Sequence, residues 1–255
     1  MSIIHAFDPD TPAVIELDQV YPKSQYTLDV CIINFSYKIM DALLEKGLLE
    51  PLNDVTIKSV SCEYPMYRFR GTNIGVVKTT IGAPVTATIQ EEAAQIFSCR
   101  KFVVFGSCGG LDKTIAPSKI IVPTHAYRDE GMSYHYVPAS DYIEMKNHQV
   151  VAQILGALNI DYVEGKTWTT DAFYRETRGN MERRQKEGCI AVEMEASACQ
   201  AVADFRGYDL YYFLYRADNL DSSQWETSIL SLISLDERLK HFFIALEIAR
   251  RISNL

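Results

Sequence analysis

Residues 101–110, which read KFVVFGSCGG, join a continuous apolar run to a glycine-rich turn. The run over residues 101–105 shows no alternation of polar and apolar side chains, which predicts a strand buried on both faces. Similar runs occur at residues 29–34, 119–122 and 210–215, and segments with helical periodicity separate them. This succession of buried strands and helices is typical of an α/β layered fold.

Apolar periodicity also predicts the remaining elements. Helices are predicted over residues 37–49, 83–99, 149–158 and 235–252. A strand running into a helix is predicted over residues 189–205, and weaker strand-like runs lie at residues 55–62 and 73–80. No break in composition divides the chain, so we expect one domain over residues 1–255, with residues 1–25 as an N-terminal arm or edge segment.

The composition restricts the functional class. The chain has 255 residues, of which 47% are hydrophobic and 23% charged, as in globular domains and unlike disordered chains. Its 25 Lys and Arg stand against 33 Asp and Glu, and the net charge of −8 disfavours nucleic-acid and membrane partners. The six cysteines show no CxxC pair and no metal-ligand spacing. We therefore expect reduced thiols, no metal site and a cytoplasmic protein.

The glycine-rich turn at residues 106–110 is the first candidate for a site. A turn of this kind at the end of a buried strand exposes backbone N–H groups, which can hold an anion or approach a ligand closely. A tight glycine turn without a ligand is the alternative that this segment alone leaves open.

Two carboxylates, Glu193 and Glu195, form the second candidate, because they lie in the otherwise apolar stretch 189–203. Burying a carboxylate without a partner costs several kcal/mol, so some donor is expected to satisfy each of them. They either begin a helix, where negative charge is favourable, or accept a pair of hydroxyls such as those of a ribose.

Asp218 is the third candidate, since it comes just after the strand predicted at residues 210–215. Ligands of open α/β sheets bind at the carboxyl ends of strands. The alternative is a helix or turn cap formed with Asn219. Two aromatic, charged segments, residues 127–136 and 169–178, are predicted either to stack on a planar base or to cover a core edge or an oligomer interface.

Together these segments resemble the nucleoside phosphorylase superfamily, which includes hexameric-type purine nucleoside phosphorylases, uridine phosphorylases and adenosylhomocysteine-type nucleosidases. The matching pieces occur in the family's order over residues 28–252: TTIGAP at 79–84, GSCGG at 106–110, TDAFY at 170–174, VEMEA at 192–196 and AD at 217–218. The resemblance implies a three-layer α/β/α single domain around a mixed, partly barrel-like central sheet. It also implies cleavage of the bond between ribose C1′ and a nucleobase.

The resemblance implies a role for each matching residue on the sugar and base side. Glu195 would accept the 2′- and 3′-hydroxyls of the ribose, with Met194 under the sugar and Glu193 beside it. Phe173 would stack on the base, and the backbone of Cys108 and Gly109 would line the base pocket.

On the leaving-group and phosphate side, Asp218 would be the general acid that protonates the base, and Ser107 with Gly106 would bind phosphate. A base leaves poorly until a ring nitrogen is protonated, and the sugar then becomes oxocarbenium-like. Asp218 must itself hold a proton to act in this way, and burial is expected to raise its pKa. An Asp at this position favours purine substrates.

The sequence departs from the family where phosphorylases hold phosphate. Residues 34–39, NFSYKI, stand in place of a Gly-Asp-Pro-x-x-Arg turn and have Ile39 at its arginine position, and Val104 stands at the position of a second arginine. Each charge-assisted hydrogen bond lost in this way is worth about 1.5–3 kcal/mol.

The function predicted from the sequence is phosphorolysis of a purine nucleoside, with phosphate as co-substrate and no other cofactor. Hydrolysis by water is the first alternative, and a nucleoside-binding relative without turnover is the second. The resemblance further implies a homo-oligomer, either a dimer or a hexamer.

Overall fold

A mixed sheet is the frame of the computed structural model, which describes residues 2–221 and 233–254. The strands are β1 (Val30–Asn34), β2 (Leu49–Pro51), β3 (Ile57–Lys58), β4 (Glu63–Tyr64), β5 (Met66–Phe69), β6 (Ile74–Lys78), β7 (Lys101–Gly110), β8 (Ile120–Asp129), β9 (Tyr142–Glu144), β10 (Tyr162–Thr170), β11 (Cys189–Glu193) and β12 (Asp209–Asn219). The helices are α1 (Leu17–Val20), α2 (Tyr37–Glu45), α3 (Ala83–Phe97), α4 (His148–Ala157), α5 (Arg178–Lys186), α6 (Ala196–Arg206) and α7 (Leu235–Ile252).

Five strands of this sheet close into a barrel. The strand order is β11-β10-β8-β12-β7-β1-β6-β5-β2, and β11 also pairs with β7. That last pairing is antiparallel and places Val192 opposite Gly109 and Ala191 opposite Gly110. Strands β1, β6, β5 and β2 continue the sheet outside the barrel. The predicted α/β fold with a partly barrel-like mixed sheet is therefore confirmed.

The helices cover the sheet in two layers. Along β1, Cys31 and Ile33 face one apolar cluster, which includes residues of α3 and α6. Val30 and Ile32 face a second cluster, which includes residues of α2, α4 and α7. A strand between two helix layers needs apolar residues on both faces, which explains its continuous apolar run.

The predicted glycine turn at residues 106–110 is wrong, because these residues extend β7 to Gly110. The reason is the barrel closure, in which the side chains of Arg216 on β12 and of Leu220 just after it lie too close to the glycines to leave room for a side chain. A Cβ on Gly109 would lie 2.5 Å from Leu220 Cδ1, and one on Gly110 would lie 2.8 Å from Arg216 Nε.

Other boundaries also differ from the predictions. The helix predicted over residues 37–49 ends at Glu45, because Gly47 adopts a positive φ of 64° and the chain turns into β2. Of the strand predicted over residues 55–62, only Ile57 and Lys58 are paired. Strands β2, β4, β5, β9 and β10 and helices α1 and α5 were not predicted. No helix within residues 2–221 and 233–254 is long and apolar enough to cross a membrane.

Candidate active site

A cavity of about 390 Å³ lies where the carboxyl ends of β7, β11 and β12 meet. It brings together eight of the nine residues that the sequence proposes for the site: Ser107, Cys108, Gly109, Phe173, Glu193, Met194, Glu195 and Asp218. Its wall also contains Ile81, Tyr174, Glu176, Val192, Ala217 and Leu220. A second lobe of about 250 Å³ has Phe173, Tyr174, Glu176, Asp218 and Leu220 in its wall as well, and adds Arg178 and Met181.

Glu195 lies at the start of α6, with its carboxylate held at the cavity wall. Its side chain is 6% exposed. The backbone N–H of Gly82 donates to Glu195 Oε1 at 2.6 Å, and the N–H of Met194 lies 3.3 Å from Oε2. Gly82 has a φ of 115°, a conformation that favours glycine, and it immediately precedes α3. Glu195 is therefore anchored to α3 by one bond and keeps room for further donors.

Glu193 is held by donors on every side. Its Oε2 accepts from the backbone N–H groups of Glu195 and Ala196, both at 2.7 Å, and from the Tyr212 hydroxyl at 3.1 Å. Its Oε1 accepts from the Thr169 hydroxyl at 2.5 Å. This carboxylate ties β11 to β10, to β12 and to the first turn of α6, and so fixes the chain that carries Glu195.

The two glutamates share one buried environment and therefore one negative charge. Burial and then the charge of Glu193 raise the pKa of Glu195 to about 8. Burial also raises the pKa of Glu193, and its hydrogen-bond donors oppose that rise. Glu193 accepts four hydrogen bonds of 3.1 Å or less, whereas Glu195 accepts one, so the donors favour the charge on Glu193 and the proton on Glu195.

Asp218 lies on β12, against the glycine pair of β7. A register shift between Arg216 and Asp218 interrupts the β12–β7 ladder and re-aims the following side chain. Asp218 is 4% exposed. A Cβ on Gly109 would lie 3.1 Å from its Oδ1, so the glycine lets the carboxyl lie directly against the backbone. The strand predicted at residues 210–215 thus extends through Asp218 instead of ending before it.

The mouth of the cavity is apolar. Phe173 begins a short 3-10 helix (Phe173–Arg175) and is 41% exposed. Tyr174 is 94% exposed and makes an edge contact with Phe173, with ring centroids 5.1 Å apart. Ile81 is 69% exposed in the same wall. Aromatic rings in this position can lie against a planar base.

Gly106, the ninth proposed residue, does not line the cavity and packs against an aromatic ring. Carbons Cδ2 and Cε2 of Phe35 would each lie 3.1 Å from a Cβ built on Gly106. Gly106 is buried, while the next residue, Ser107, is exposed in the cavity wall. Phe35, from the stretch at residues 34–39 that replaces the family's Gly-Asp-Pro-x-x-Arg turn, thus packs its ring against β7 at Gly106.

Three arginines outside the cavity wall are engaged elsewhere. Arg68 lies 2.8 Å from Glu50 and Arg70 lies 3.8 Å from it. Arg128 donates to Ser133, Ser140 and the Pro138 carbonyl oxygen. Arg178 is the cation that lines the second lobe among the residues described.

Glu176 is a wall residue that the sequence analysis did not single out. It lines both lobes and follows the short 3-10 helix. Burial and then the charge of Asp218 raise its pKa to about 7. Glu176 lies in the charged, aromatic segment 169–178. The next residue, Thr177, caps α5 by accepting a hydrogen bond from the Asn180 N–H. A threonine at this position is a sequence signal that a helix begins there.

Cys108 is a structural residue of the wall rather than a reactive thiol. Its side chain is 4% exposed, and burial, with the nearby Glu193 and Asp218, holds its pKa well above the usual range. All six cysteines are free thiols. Residues 2–221 and 233–254 contain no group of three His, Cys, Asp or Glu side chains arranged to hold a metal ion.

The sequence profile of the Phosphorylase superfamily matches residues 29–230, which include every residue of this cavity. The chain belongs to the phosphorylase superfamily. Among its relatives, a purine nucleoside phosphorylase of DeoD type from Bacillus cereus is 24% identical over 184 residues, 71% of this chain and 75% of that protein. The DeoD-type enzyme of Aliivibrio fischeri is 25% identical over 138 residues, 53% of this chain. The matched part of this chain spans only 58% of the length of the Aliivibrio fischeri protein.

Two solved structures share the fold. An AMP nucleosidase from Bacteroides thetaiotaomicron superposes with a TM-score of 0.67 over 90% of this chain and 91% of its own, at 18% identity. A futalosine hydrolase from Helicobacter pylori superposes with a TM-score of 0.67 over 86% of this chain and 97% of its own, at 15% identity.

Proposed function

We propose that this protein cleaves the N-glycosidic bond of a purine nucleoside and transfers the ribose to water. The observation that carries the proposal is the meeting of Glu195, Asp218 and Phe173 in the wall of one cavity of about 390 Å³. We propose hydrolysis in place of the phosphorolysis that the sequence favours, because the Phe35 ring packs against Gly106 and four carboxyl groups line the two lobes.

In this proposal Glu195 binds the 2′- and 3′-hydroxyls as a carboxylate, and Met194 packs under the sugar. Met194 is half-buried in the cavity wall, directly before Glu195. Glu193 would act indirectly, by holding the chain at Glu195 through its own hydrogen bonds. Phe173 would lie against the base at the mouth.

Asp218 is proposed as the acid that donates a proton to the base as the C1′–N bond breaks. A carboxyl must hold its proton to act in this way, and this one lies buried in the cavity wall, away from bulk water. The electron pair of the broken bond stays on the base, which takes the proton. Water adds to the oxocarbenium-like C1′ and releases its other proton to solvent.

Charge and space both argue against a phosphate dianion as the acceptor. Four carboxyl groups line the two lobes, at Glu176, Glu193, Glu195 and Asp218. The Phe35 ring also lies against Gly106, which the resemblance assigned to phosphate. A dianion in this cavity would lie among acidic groups, and the ring packed against Gly106 offers it no donor, whereas water is neutral and small.

Phosphorolysis remains the second candidate because Ser107 is exposed in the cavity wall. A serine hydroxyl at this edge can donate to a phosphate oxygen. The two functions differ in one measurable product.

The test is base release from inosine, guanosine, adenosine, uridine and 5′-methylthioadenosine, each with and without phosphate, with the sugar product identified. We expect release of purine without phosphate and free ribose as the product. Release that requires phosphate, with ribose 1-phosphate as the product, would support phosphorolysis. Binding without any release would support a nucleoside-binding relative.

Asp218→Asn tests the proposed acid within the same assay. General acid catalysis contributes about 10²–10⁴-fold, so turnover is expected to fall within that range while nucleoside binding persists. Asp209→Asn, at the exposed opposite end of the same strand, is the matched control and is expected to leave turnover unchanged. Equal turnover in the two variants would remove Asp218 from the mechanism.

A further inference from the structure

A β-bulge in β12 decides where Asp218 meets the cavity. Arg216 pairs with Cys108 of β7. Asp218 pairs with the next residue of β7, Gly109, so one residue of β12 is left over between the two pairs. Pairing without that extra residue would place Asp218 opposite Gly110, one position farther along β7. Because a one-residue change in register also turns a side chain to the other face of a sheet, the place of the proposed acid depends on this bulge.

The side chain of Arg216 spans the bulge. Its Nε–H donates to the backbone carbonyl oxygen of Asp218 at 3.1 Å, so the bond joins the residues on either side of the extra one. Arg216 is 4% exposed, and the bond therefore lies away from bulk water, where it is stronger. The near side of the bulge is fixed by backbone bonds. The Arg216 N–H donates to the Lys119 carbonyl oxygen at 3.2 Å, and the Ser118 N–H donates to the Arg216 carbonyl oxygen at 3.0 Å.

Gly110 makes room for this arginine on the neighbouring strand. A Cβ built on Gly110 would lie 2.8 Å from Nε and 2.9 Å from Cδ of Arg216, and 3.1 Å from the Asp218 carbonyl oxygen. The donor and the acceptor of the bond thus both pack directly on the glycine. A buried arginine costs free energy, because its charge loses hydration. An apolar side chain would also fill the space, but it would offer no donor to the Asp218 carbonyl oxygen.

We propose that Arg216 is a positioning residue, which holds Asp218 in the cavity wall through the hydrogen bond from its Nε–H. The proposal rests on the proposed function, since it concerns the carboxyl that donates a proton to the base. Arg216 is not among the described residues that line the two lobes, so it acts on the reaction through Asp218. Its point of contact is the backbone of Asp218, which leaves the carboxyl available to the base.

Substitutions at Arg216 can separate the donor from the charge. The side-chain nitrogen of glutamine is as many bonds from the backbone as Nε of arginine, so Arg216→Gln keeps the donor without the charge. Arg216→Lys keeps the charge but has a methylene group at that position, and Arg216→Met keeps neither. We expect Arg216→Gln to retain kcat within about threefold and the other two variants to lower kcat about 10–100-fold. The KM for the nucleoside should change little, since Glu195 and Phe173 lie on other elements.

The Asp218→Asn background shows whether Arg216 acts through this residue alone. A residue that only positions Asp218 has nothing to position once the acid is lost, so adding Arg216→Met should cause no further fall in kcat. A second loss of the same size would show a general structural role and would overturn the proposal. Activity in Arg216→Lys together with a loss in Arg216→Gln would also overturn it, because the charge would then be what matters.

Amide hydrogen exchange follows the bulge without any need for turnover. The N–H of Leu220, just past the bulge, donates to the Gly110 carbonyl oxygen at 3.0 Å and reports whether the pairing beyond the bulge holds. Its exchange should be about tenfold faster in Arg216→Met than in Arg216→Gln, with the amide of Phe213, before the bulge, as the internal reference. Equal exchange at Leu220 in the two variants would overturn the role of Arg216 in holding the bulge. An equal rise at Phe213 would do the same, because the effect would then be general unfolding.

The two proposals fail in different ways. A wild-type protein that releases no base from any nucleoside contradicts the proposed function, and the exchange at Leu220 still shows whether Arg216 holds the bulge. Turnover in which Arg216→Met keeps the wild-type kcat overturns the positioning role alone.

Discussion

At the scale of single residues, Glu195 carries two opposed requirements. Its buried position beside Glu193 favours the protonated form, while a carboxylate binds paired hydroxyls better than a carboxylic acid does. A group whose pKa is raised on folding stabilises the protein at low pH. That stabilisation is lost as the pH rises from the group's ordinary range to about 8.

Nucleoside binding is therefore expected to release a proton. Below about pH 8 the free protein holds a proton on Glu195, and the ribose hydroxyls bind best when it has left. Calorimetry at pH 7 in buffers of different ionisation enthalpy should show close to one proton released, and affinity should rise with pH up to about 8. Binding without proton release would contradict the role of Glu195.

Glu195→Gln should separate binding from stability. Losing charge-assisted hydrogen bonds of about 1.5–3 kcal/mol each should weaken nucleoside binding about tenfold or more. At pH 8 the same change should raise the melting temperature, because it removes a buried charge. The control is Glu144→Gln, on the exposed face of β9, which should change neither quantity.

At the scale of elements, the sequence predicts those with a continuous or periodic apolar pattern and misses those that lack one. Helix α7 has the predicted bounds because its apolar spacing faces one cluster. Strand β10 escaped prediction because Thr167 and Thr169 face Glu193 instead of apolar neighbours. Polar residues on a barrel strand break the apolar pattern on which strand prediction depends.

The β11–α6 junction is expected to depend on the charge of Glu193. The two carboxylate oxygens of Glu193 accept four close hydrogen bonds, and in Glu193→Gln an NH₂ group replaces one of these oxygens. Leaving a buried donor without its acceptor costs about 1–3 kcal/mol, so the free energy of unfolding should fall by that amount. Denaturant unfolding would measure it, with Glu195→Gln as the matched variant. A smaller loss for Glu193→Gln than for Glu195→Gln would show that the charge lies on the other glutamate.

At the scale of the whole molecule, the sequence motifs predict which residues meet but not the shape of the space between them. Eight of the nine proposed residues line one cavity, because they lie near the carboxyl ends of neighbouring barrel strands. The contact of Phe35 with Gly106 and the place of Glu176 depend on side-chain packing between distant segments. Such contacts leave no periodic signal in a single sequence.

The apolar mouth of the cavity leads to the prediction about assembly. The resemblance implies a dimer or hexamer in which a neighbouring subunit completes the pocket, and Ile81, Phe173 and Tyr174 are the exposed apolar residues at that mouth. Sedimentation at micromolar concentration should therefore show at least a dimer. A second copy would remove these side chains from water, which is the main favourable term in association.

Tyr174→Glu should shift the sedimenting species toward the monomer, because it places a charge in the buried interface and adds to a net charge that is already −8. The control is Phe243→Glu, which makes the same change in charge away from the mouth. Phe243 lies on α7 and is 40% exposed. A wild-type monomer would contradict the expected assembly. Equal dissociation in the two variants would place the contact away from the mouth, because only the charge would then matter.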